Sequence, residues 1–277
     1  MVRYAVLGSG SSGNSYVFSD GVTSVLIDQG YSGVELQRRL VAIGLDISSV
    51  AGVCVTHLHP DHAKGLGVIS RKLHVPIYLH TAMVEKERVV FSKLCIPQEC
   101  ISLVEPLAEF SVGPFVLSCF ETSHDSGGSV GWRVKYDDTT LMVLTDTGYY
   151  TQEQLLLAKS SNILFLEANY DEAMLQGGPY PYFLKQRISG LYGHLSNDQA
   201  MSFLQESEFN GEHVYFIHLS GTNNEPSLLS DMARVRMKTP FTVCEKDRCY
   251  GGTWRNYEQE RHEQKEQEEQ EKRYLVP

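Results

Sequence analysis

Three histidines and an aspartate fall within six positions, His57, His59, Asp61 and His62, in the stretch VCVTHLHPDHAKGL. An apolar run precedes them, so the pattern predicts a loop joining a buried strand to a helix. Such a loop can turn alternate side chains toward one point. His57 and His59 could bind one metal, and Asp61 and His62 a second beside it. Neutral imidazole and carboxylate suit Zn²⁺, and also Mn²⁺ or Fe²⁺. A lone loop histidine is usually polar surface. Three beside an aspartate, in a chain with only ten histidines, make chance a poor account.

Two metals need further ligands. His124 closes FVLSCFETSH, Asp146 lies in TLMVLTDTG and His218 in HVYFIHLS. Each follows a buried apolar strand, where it would emerge at one rim of a sheet. A single residue of this kind is more often a turn or a cap. Four strand ends with ligand side chains, counting His57, are harder to dismiss.

The elements that must position them can be read in order. RYAVLGSG, NSYVFSDG and TSVLIDQG read as strands, with SDG as a hairpin turn. SGVELQRRLVAIGL reads as an amphipathic helix with Val34, Leu36, Leu40, Val41 and Ile43 apolar and a stop at Gly44. The strand VAGVCVTH then ends at His57, and Asp61 is the expected cap of a helix DHAKGLGVISRKL. PIYLH is a strand and AMVEKERVVFSKL a helix. A strand-rich middle follows, then a helix near Gln152–Lys159 and the strand NILFLEANYD. The helices PYFLKQRISGL and SNDQAMSFLQES, the strand HVYFIHLS, the helix EPSLLSDMARVR and the strand FTVCEK complete the body. Strands central to each half, with helices outside, predict an α+β fold of two face-to-face sheets covered on both sides.

Composition agrees with one large domain. The chain has 277 residues, 42% hydrophobic and 21% charged. No apolar run approaches the roughly 20 residues that span a bilayer. The opening MVRYAVLGSG lacks a signal-peptide pattern, so the expectation is a cytoplasmic protein without a membrane partner. Six cysteines include no Cys-x-x-Cys; Cys54 and Cys119 read as core, and Cys244 and Cys249 as a reduced pair. The net charge of −10 argues against a general nucleic-acid binder. From Glu258 to Arg273 there are seven Glu against four Lys or Arg, and removing them still leaves −7. The division expected is a catalytic domain over residues 1–257 and a charged Glu/Gln-rich tail over 258–277, which could bind a protein partner.

THLHPDH, TSHD, LTDTG and FIHLS, in that order, resemble the metallo-β-lactamase superfamily. The resemblance covers nearly the whole body. It implies a four-layer αββα sandwich with a dinuclear site at its edge. His57, His59 and His124 would bind the first metal, Asp61, His62 and His218 the second, and Asp146 would bridge them. Two divalent ions, Zn²⁺ or Mn²⁺ with Fe²⁺ also accepted, would give a metal-bound hydroxide as nucleophile, oriented by Asp61. Redox relatives on di-iron carry Glu where this chain has His59, which favours hydrolysis.

Three further features narrow the substrate. LGSGSSGNS could cradle a phosphate through Ser11, Ser12, Asn14 and its backbone amides, or be a long hairpin turn. Glu167 and His194, in LFLEANYD and YGHLSND, resemble the Glu–His pair that protonates the leaving oxygen in the phosphodiesterase branch. Asp61, His194 and Glu167 are thus the implied catalytic residues. Asn223 and Asn224 could hydrogen-bond phosphate or a base edge, or cap the next helix. Together these motifs resemble the YycJ/WalJ-like group. That implies a DNA-directed phosphodiesterase, a 5′-to-3′ exonuclease acting in DNA repair, with DNA as its partner. Only 71 residues separate Asp146 from His218, too few for the large cap domain of the RNA-cleaving branch. The alternative is a small-molecule hydrolase acting on a thioester, lactone or cyclic phosphodiester, which an acidic surface suits.

Overall fold

The run TLMVL sorts alternate residues into two cores: Leu141 and Val143 join one, Met142 and Leu144 the other. The 163–167 and 213–217 runs do the same, with Phe165 and Ile217 in the first core and Leu166 and Phe216 in the second. A strand with a period of two and both faces covered must be apolar throughout, which is why these runs lack polar alternation.

The computed structural model describes residues 2–253. The tail expected at 258–277, and the boundary at 257, lie outside the described residues. In chain order the elements are β1 (Arg3–Gly8), β2 (Ser15–Ser19), β3 (Ser24–Ile27), α1 (Gly33–Ala42), β4 (Val50–Cys54), α2 (Pro60–Ala63), α3 (Leu66–Leu73) and β5 (Ile77–His80). Next come α4 (Thr81–Lys86), α5 (Arg88–Lys93), β6 (Ile101–Val104), β7 (Phe110–Val112), β8 (Phe115–Glu121), β9 (Val130–Tyr136) and β10 (Thr139–Leu144). The remainder are α6 (Gln152–Lys159), β11 (Ile163–Glu167), α7 (Glu172–Gly177), α8 (Tyr182–Ile188), α9 (Asn197–Glu206), β12 (His213–Ile217), α10 (Pro226–Arg236), β13 (Phe241–Val243) and β14 (Tyr250–Thr253).

Two seven-stranded sheets result, ordered β14-β1-β2-β3-β4-β5-β6 and β13-β12-β11-β10-β9-β8-β7. Strands β3 to β6 run parallel, as do β10 to β13. The sheets meet face to face. Phe165 stands edge-on to Phe18 with ring centroids 5.6 Å apart, and buried Trp132 donates its indole N–H to the Val55 carbonyl at 3.1 Å. Leu36, Leu40, Leu66 and Ile69 bring α1 and α3 against the first sheet's core; Leu155, Phe203 and Leu229 bring α6, α9 and α10 against the second's. The α+β four-layer αββα sandwich expected from the sequence is the fold of this chain.

Local differences have physical reasons. In α1 the buried face is Leu36, Leu40 and, partly, Ile43, spaced four and three apart; Val34 and Val41 are exposed. Asp61 does not cap its helix: His59 is the N-cap, Pro60 opens the first turn and Asp61 lies within it. The helix predicted from Asp61 onward is two, α2 and α3, divided where the Gly65 amide bonds to the Gln29 carbonyl. Helix α7 and strand β14 are additions to the expected elements; β14 is half glycine and pairs along β1. Cys244 and Cys249 are free thiols.

Candidate metal centre

Parallel strands deliver their C-terminal ends to one rim, and the site stands there. Asp28 follows β3, His57 follows β4, Asp146 follows β10, Glu167 ends β11 and His218 follows β12. Strand β8 runs antiparallel to β9, and β9 to β10, so the end of β8 carries His124 to the same rim. The chain must turn sharply as it leaves three of these strands. Asp28, Asp146 and His218 adopt left-handed backbone, with φ of 61°, 54° and 58°. That conformation costs a non-glycine residue on the order of 1–3 kcal/mol. It is held by the contacts around it: the His218 amide donates to Ser9 Oγ at 2.7 Å, and Asn169 Nδ2 to the His218 carbonyl at 2.8 Å. Gly30 is a close approach. A Cβ there would run into the carbonyl of Asp61, so only glycine lets the β3 exit pass beneath the ligand loop.

All seven residues expected as ligands converge. Side-chain donor atoms lie within 4.8 Å of one another in four sets: His57, His59 and His124; Asp61, His62 and His218; His57, His62 and Asp146; and Asp146, Glu167, His194 and His218. Asp146 is buried at the centre. Its Oδ1 is 3.6 Å from His124 Nε2 and 3.6 Å from His218 Nδ1, while its Oδ2 is 3.4 Å from His62 Nε2. Thr145 Oγ1 donates to that Oδ2 at 2.6 Å.

Outer partners aim the rings. Asp28 Oδ2 lies 2.6 Å from His62 Nδ1 and accepts Thr56 Oγ1 at 2.7 Å; Thr56 Oγ1 is 3.0 Å from His57 Nδ1. The Thr56 hydroxyl is already donating to Asp28, so it accepts from His57. Both imidazoles therefore carry their proton on Nδ1 and turn a bare Nε2 inward. His124 Nδ1 donates to the Gly193 carbonyl at 3.0 Å with the same result. Glu167 is fully buried. Its Oε1 is 2.7 Å from His194 Nδ1 and 2.9 Å from His218 Nδ1, and its Oε2 accepts the amides of Thr147 and Leu195 at 3.1 and 3.2 Å.

The donor set fits a divalent cation. His57 Nε2 is buried with no hydrogen-bond partner, a state that costs about 1–3 kcal/mol unless something else satisfies it. Burial pushes His57 and His124 down, toward the neutral form a ligand must have. Burial would lower His218 as well, but the Asp146 charge and the Asp61 and Glu167 contacts raise it well above its ordinary value. Asp146 is held well below the carboxylate range: burial opposes this, and the surrounding His218 and His62 charges overcome it. Four carboxylates in or beside the cluster, Asp28, Asp61, Asp146 and Glu167, supply negative charge that cations offset.

A cleft of about 480 Å³ opens over the cluster. His59, Asp61, His124, Asp146, His194 and His218 line it, with Ser11, Tyr180, Arg187 and Lys246 around them. His194 keeps Glu167 on Nδ1 and makes no hydrogen bond through Nε2 among the described residues. Asp125 lies between the cluster and Arg187: its Oδ1 is 3.5 Å from both His59 and His124, and its Oδ2 accepts the Arg187 Nε–H.

The residues expected to touch substrate divide. Ser11 lines the cleft. Ser12 does not; its hydroxyl bonds to Asp247 at 3.2 Å. Asn14 is buried behind the cluster, donating to Asp61 Oδ2 at 3.2 Å with the same nitrogen 2.8 Å from His62 Nε2, so it braces the loop instead of facing solvent. Asn224 is buried and pairs amide to amide with Asn197, at 2.8 and 3.0 Å. Its Oδ1 also accepts the Glu225 amide at 2.9 Å, just ahead of α10. Asn223 is fully buried outside the cleft, with its side-chain amide unpartnered. A short polar side chain after a strand reads the same in sequence whether it faces in or out. Asp28, Thr56 and Asp125 escaped sequence reasoning. For Asp28 the signal was there, a carboxylate closing the apolar run TSVLI.

Comparison with known proteins follows the same lines. The model of the Beta-lactamase superfamily domain matches residues 23–219. Exodeoxyribonuclease YycJ of Bacillus anthracis is 32% identical over 235 residues, 84% of this chain and 87% of that protein. Exodeoxyribonuclease WalJ of Streptococcus pneumoniae serotype 2 is 32% identical over 238 residues, 85% of this chain and 86% of that one. Among solved structures, the metallo-beta-lactamase fold protein YhfI from Bacillus subtilis superposes with a TM-score of 0.69 at 18% identity, over 91% of this chain and 99% of that one. Zn²⁺-bound PqqB from Methylobacterium extorquens gives 0.65 at 14%, over 90% and 99%. At such identities these two likenesses speak for the fold alone.

Proposed function

This chain belongs to the beta-lactamase superfamily, within its YycJ/WalJ-like group, and is a metal-dependent hydrolase; we propose that it is a dinuclear exodeoxyribonuclease that degrades DNA from 5′ to 3′ in repair. The observation that carries the dinuclear reading is Asp146, whose two oxygens address different sets, Oδ1 at 3.6 Å from His124 Nε2 and Oδ2 at 3.4 Å from His62 Nε2. His57, His59 and His124 would hold one ion, Asp61, His62 and His218 the other, and Asp146 both. Zn²⁺ or Mn²⁺ suits these donors, and Fe²⁺ is accepted by the same set. When bound, two such ions acidify a water and neutralise the charge that develops on a phosphate.

The chain's own residues supply the rest. Asp61 sits at the cleft floor, where its carboxylate can accept a hydrogen bond from the attacking water and orient it. His194 Nε2 is the nitrogen left to protonate the departing oxygen, while Glu167 stabilises the ring's cationic form through Nδ1. Arg187 and Lys246 bring positive charge to the cleft for a phosphodiester. Ser11 adds a hydroxyl. No helix among the described residues is long and apolar enough to cross a bilayer. We place the protein in the cytoplasm, and assign residues 258–277 to a protein partner.

The test is degradation of end-labelled duplex DNA by protein reconstituted with Mn²⁺ or Zn²⁺, against a chelated control. Stepwise loss of a 5′ label is expected. Hydrolysis of a thioester or lactone with no loss of DNA label would move the assignment to a small-molecule hydrolase, the reading favoured by a net charge of −10.

A further inference from the structure

Every exposed aromatic side chain among the described residues lies between positions 149 and 192: Tyr149 at 44% exposure, Tyr182 at 77%, Phe183 at 73% and Tyr192 at 64%. Exposed aromatic surface is costly in water, and its concentration beside one site calls for an occupant. Tyr182 and Phe183 open α8, whose Leu184 and Arg187 line the main cleft. Tyr149 and Tyr192 belong elsewhere. They line a second groove of about 390 Å³ that meets the main cleft at His124 and Asp125. Neither tyrosine has a ring partner among the described residues.

The two tyrosines are fixed relative to the cluster. Ser123 Oγ donates to the Leu191 carbonyl at 2.8 Å, and the Gly148 amide donates to the Ser123 carbonyl at 2.8 Å. Gly148 presses directly on the turn before Tyr192; a Cβ there would overlap the carbonyl of Gly190 and the backbone of Leu191. The same turn takes the His124 Nδ1 proton on Gly193. The segments carrying Tyr149, Tyr192 and the ligand His124 therefore form one backbone-locked unit. At the far side Lys86 lines the groove, exposed and without an ion pair among the described residues. Glu121 and Asp125 line it too, so charge alone does not explain attraction of a phosphate chain.

We infer that this second groove is a base-stacking subsite, in which Tyr149 and Tyr192 hold unpaired nucleobases of the strand whose scissile phosphate lies at the metal cluster. The inference rests on the nuclease reading and deepens it. A net charge of −10 weakens general attraction to phosphates, so contacts to bases would supplement Arg187 and Lys246. Stacking on aromatic rings needs no charge and tolerates any sequence, as a nuclease that removes every nucleotide in turn requires. The groove is of ligand size, near the lower end of the usual range of about 300–1,000 Å³.

The experiment measures binding of short fluorescent single strands to the metal-loaded protein, with phosphorothioate linkages to prevent cleavage. One strand carries bases; its twin is abasic throughout. The wild type should prefer the base-bearing strand by roughly 5- to 150-fold per stacked base, and keep that preference in high salt. Tyr149→Ala and Tyr192→Ala should each reduce it, and the pair abolish it, while Tyr192→Phe retains it. Equal binding of the two strands by the wild type, or an undiminished preference in the double alanine variant, overturns the subsite. DNA degradation by the same preparations is scored separately. Intact degradation without a base preference rejects the groove and leaves the nuclease. A base preference without degradation keeps the groove as a nucleic-acid site and rejects the nuclease.

Discussion

Asp28 Oδ2 stands 2.6 Å from His62 Nδ1, and both side chains are fully buried. Through Thr56 the same carboxylate also sets His57. One residue outside the cluster thus fixes the tautomer of two rings inside it. Replacing Asp28 with Asn keeps the shape but removes the charge that favours the Nδ1 proton. Metal affinity should fall by about 10- to 100-fold, the usual cost of losing such an outer partner. Competition with a chelator measures it, and an unchanged affinity would deny Asp28 this part.

Asp146→Ala should lower the metal content and abolish hydrolysis, because both histidine sets face the same carboxylate. Elemental analysis of the purified variant decides. Two ions retained per chain would remove Asp146 from a bridging position.

His194→Ala should leave the metals in place and slow turnover by about 10²–10⁴-fold, with a smaller loss on a substrate whose leaving group needs no proton. Glu167→Gln should do more than this. Its Oε1 serves His218 as well as His194, so metal binding should weaken along with turnover. Turnover loss in Glu167→Gln with wild-type metal affinity would show that the His218 contact is idle.

Acid stability should carry a signature of α1. The hydrogen bond from Arg38, then the bond and charge of Arg39, hold the Glu35 carboxyl down to about 2. An unfolded glutamate titrates near about 4.3. Its folded value is the lower one, so the contribution is complete above the unfolded value and is lost as the pH falls toward 2. The gap in urea midpoint between wild type and Glu35→Gln should be full at neutral pH and close across that acid window. A gap that does not change with pH would assign the effect to packing, not charge.

Much of the site was legible before any coordinates. A buried strand needs apolar residues up to its end, and the polar residues just beyond it emerge at the rim. His57, His124, Asp146 and His218 each announced themselves in this way, because the signal is local and one-dimensional. The helix expected near Gln152–Lys159 is present, and the fold adds a Thr151–Gln154 capping box at its start. Asn14 and Asn224 show where this stops. In sequence they are short polar residues near motifs; in the fold they are buried braces on Asp61, His62 and Asn197.

By itself the sequence determined which side chains could ligate a metal, the strands that present them and the paired sheets those strands require. Tertiary structure alone decided that Asp28 governs two histidines, that Glu167 is shared between His194 and His218, and that Tyr149 and Tyr192 flank the cluster through a glycine contact. The reason is range. Periodicity and capping act over a few residues, whereas the side-chain partners of Asp28 and Glu167 lie 20 to 51 positions away and meet only when neighbouring parallel strands bring their ends to one rim.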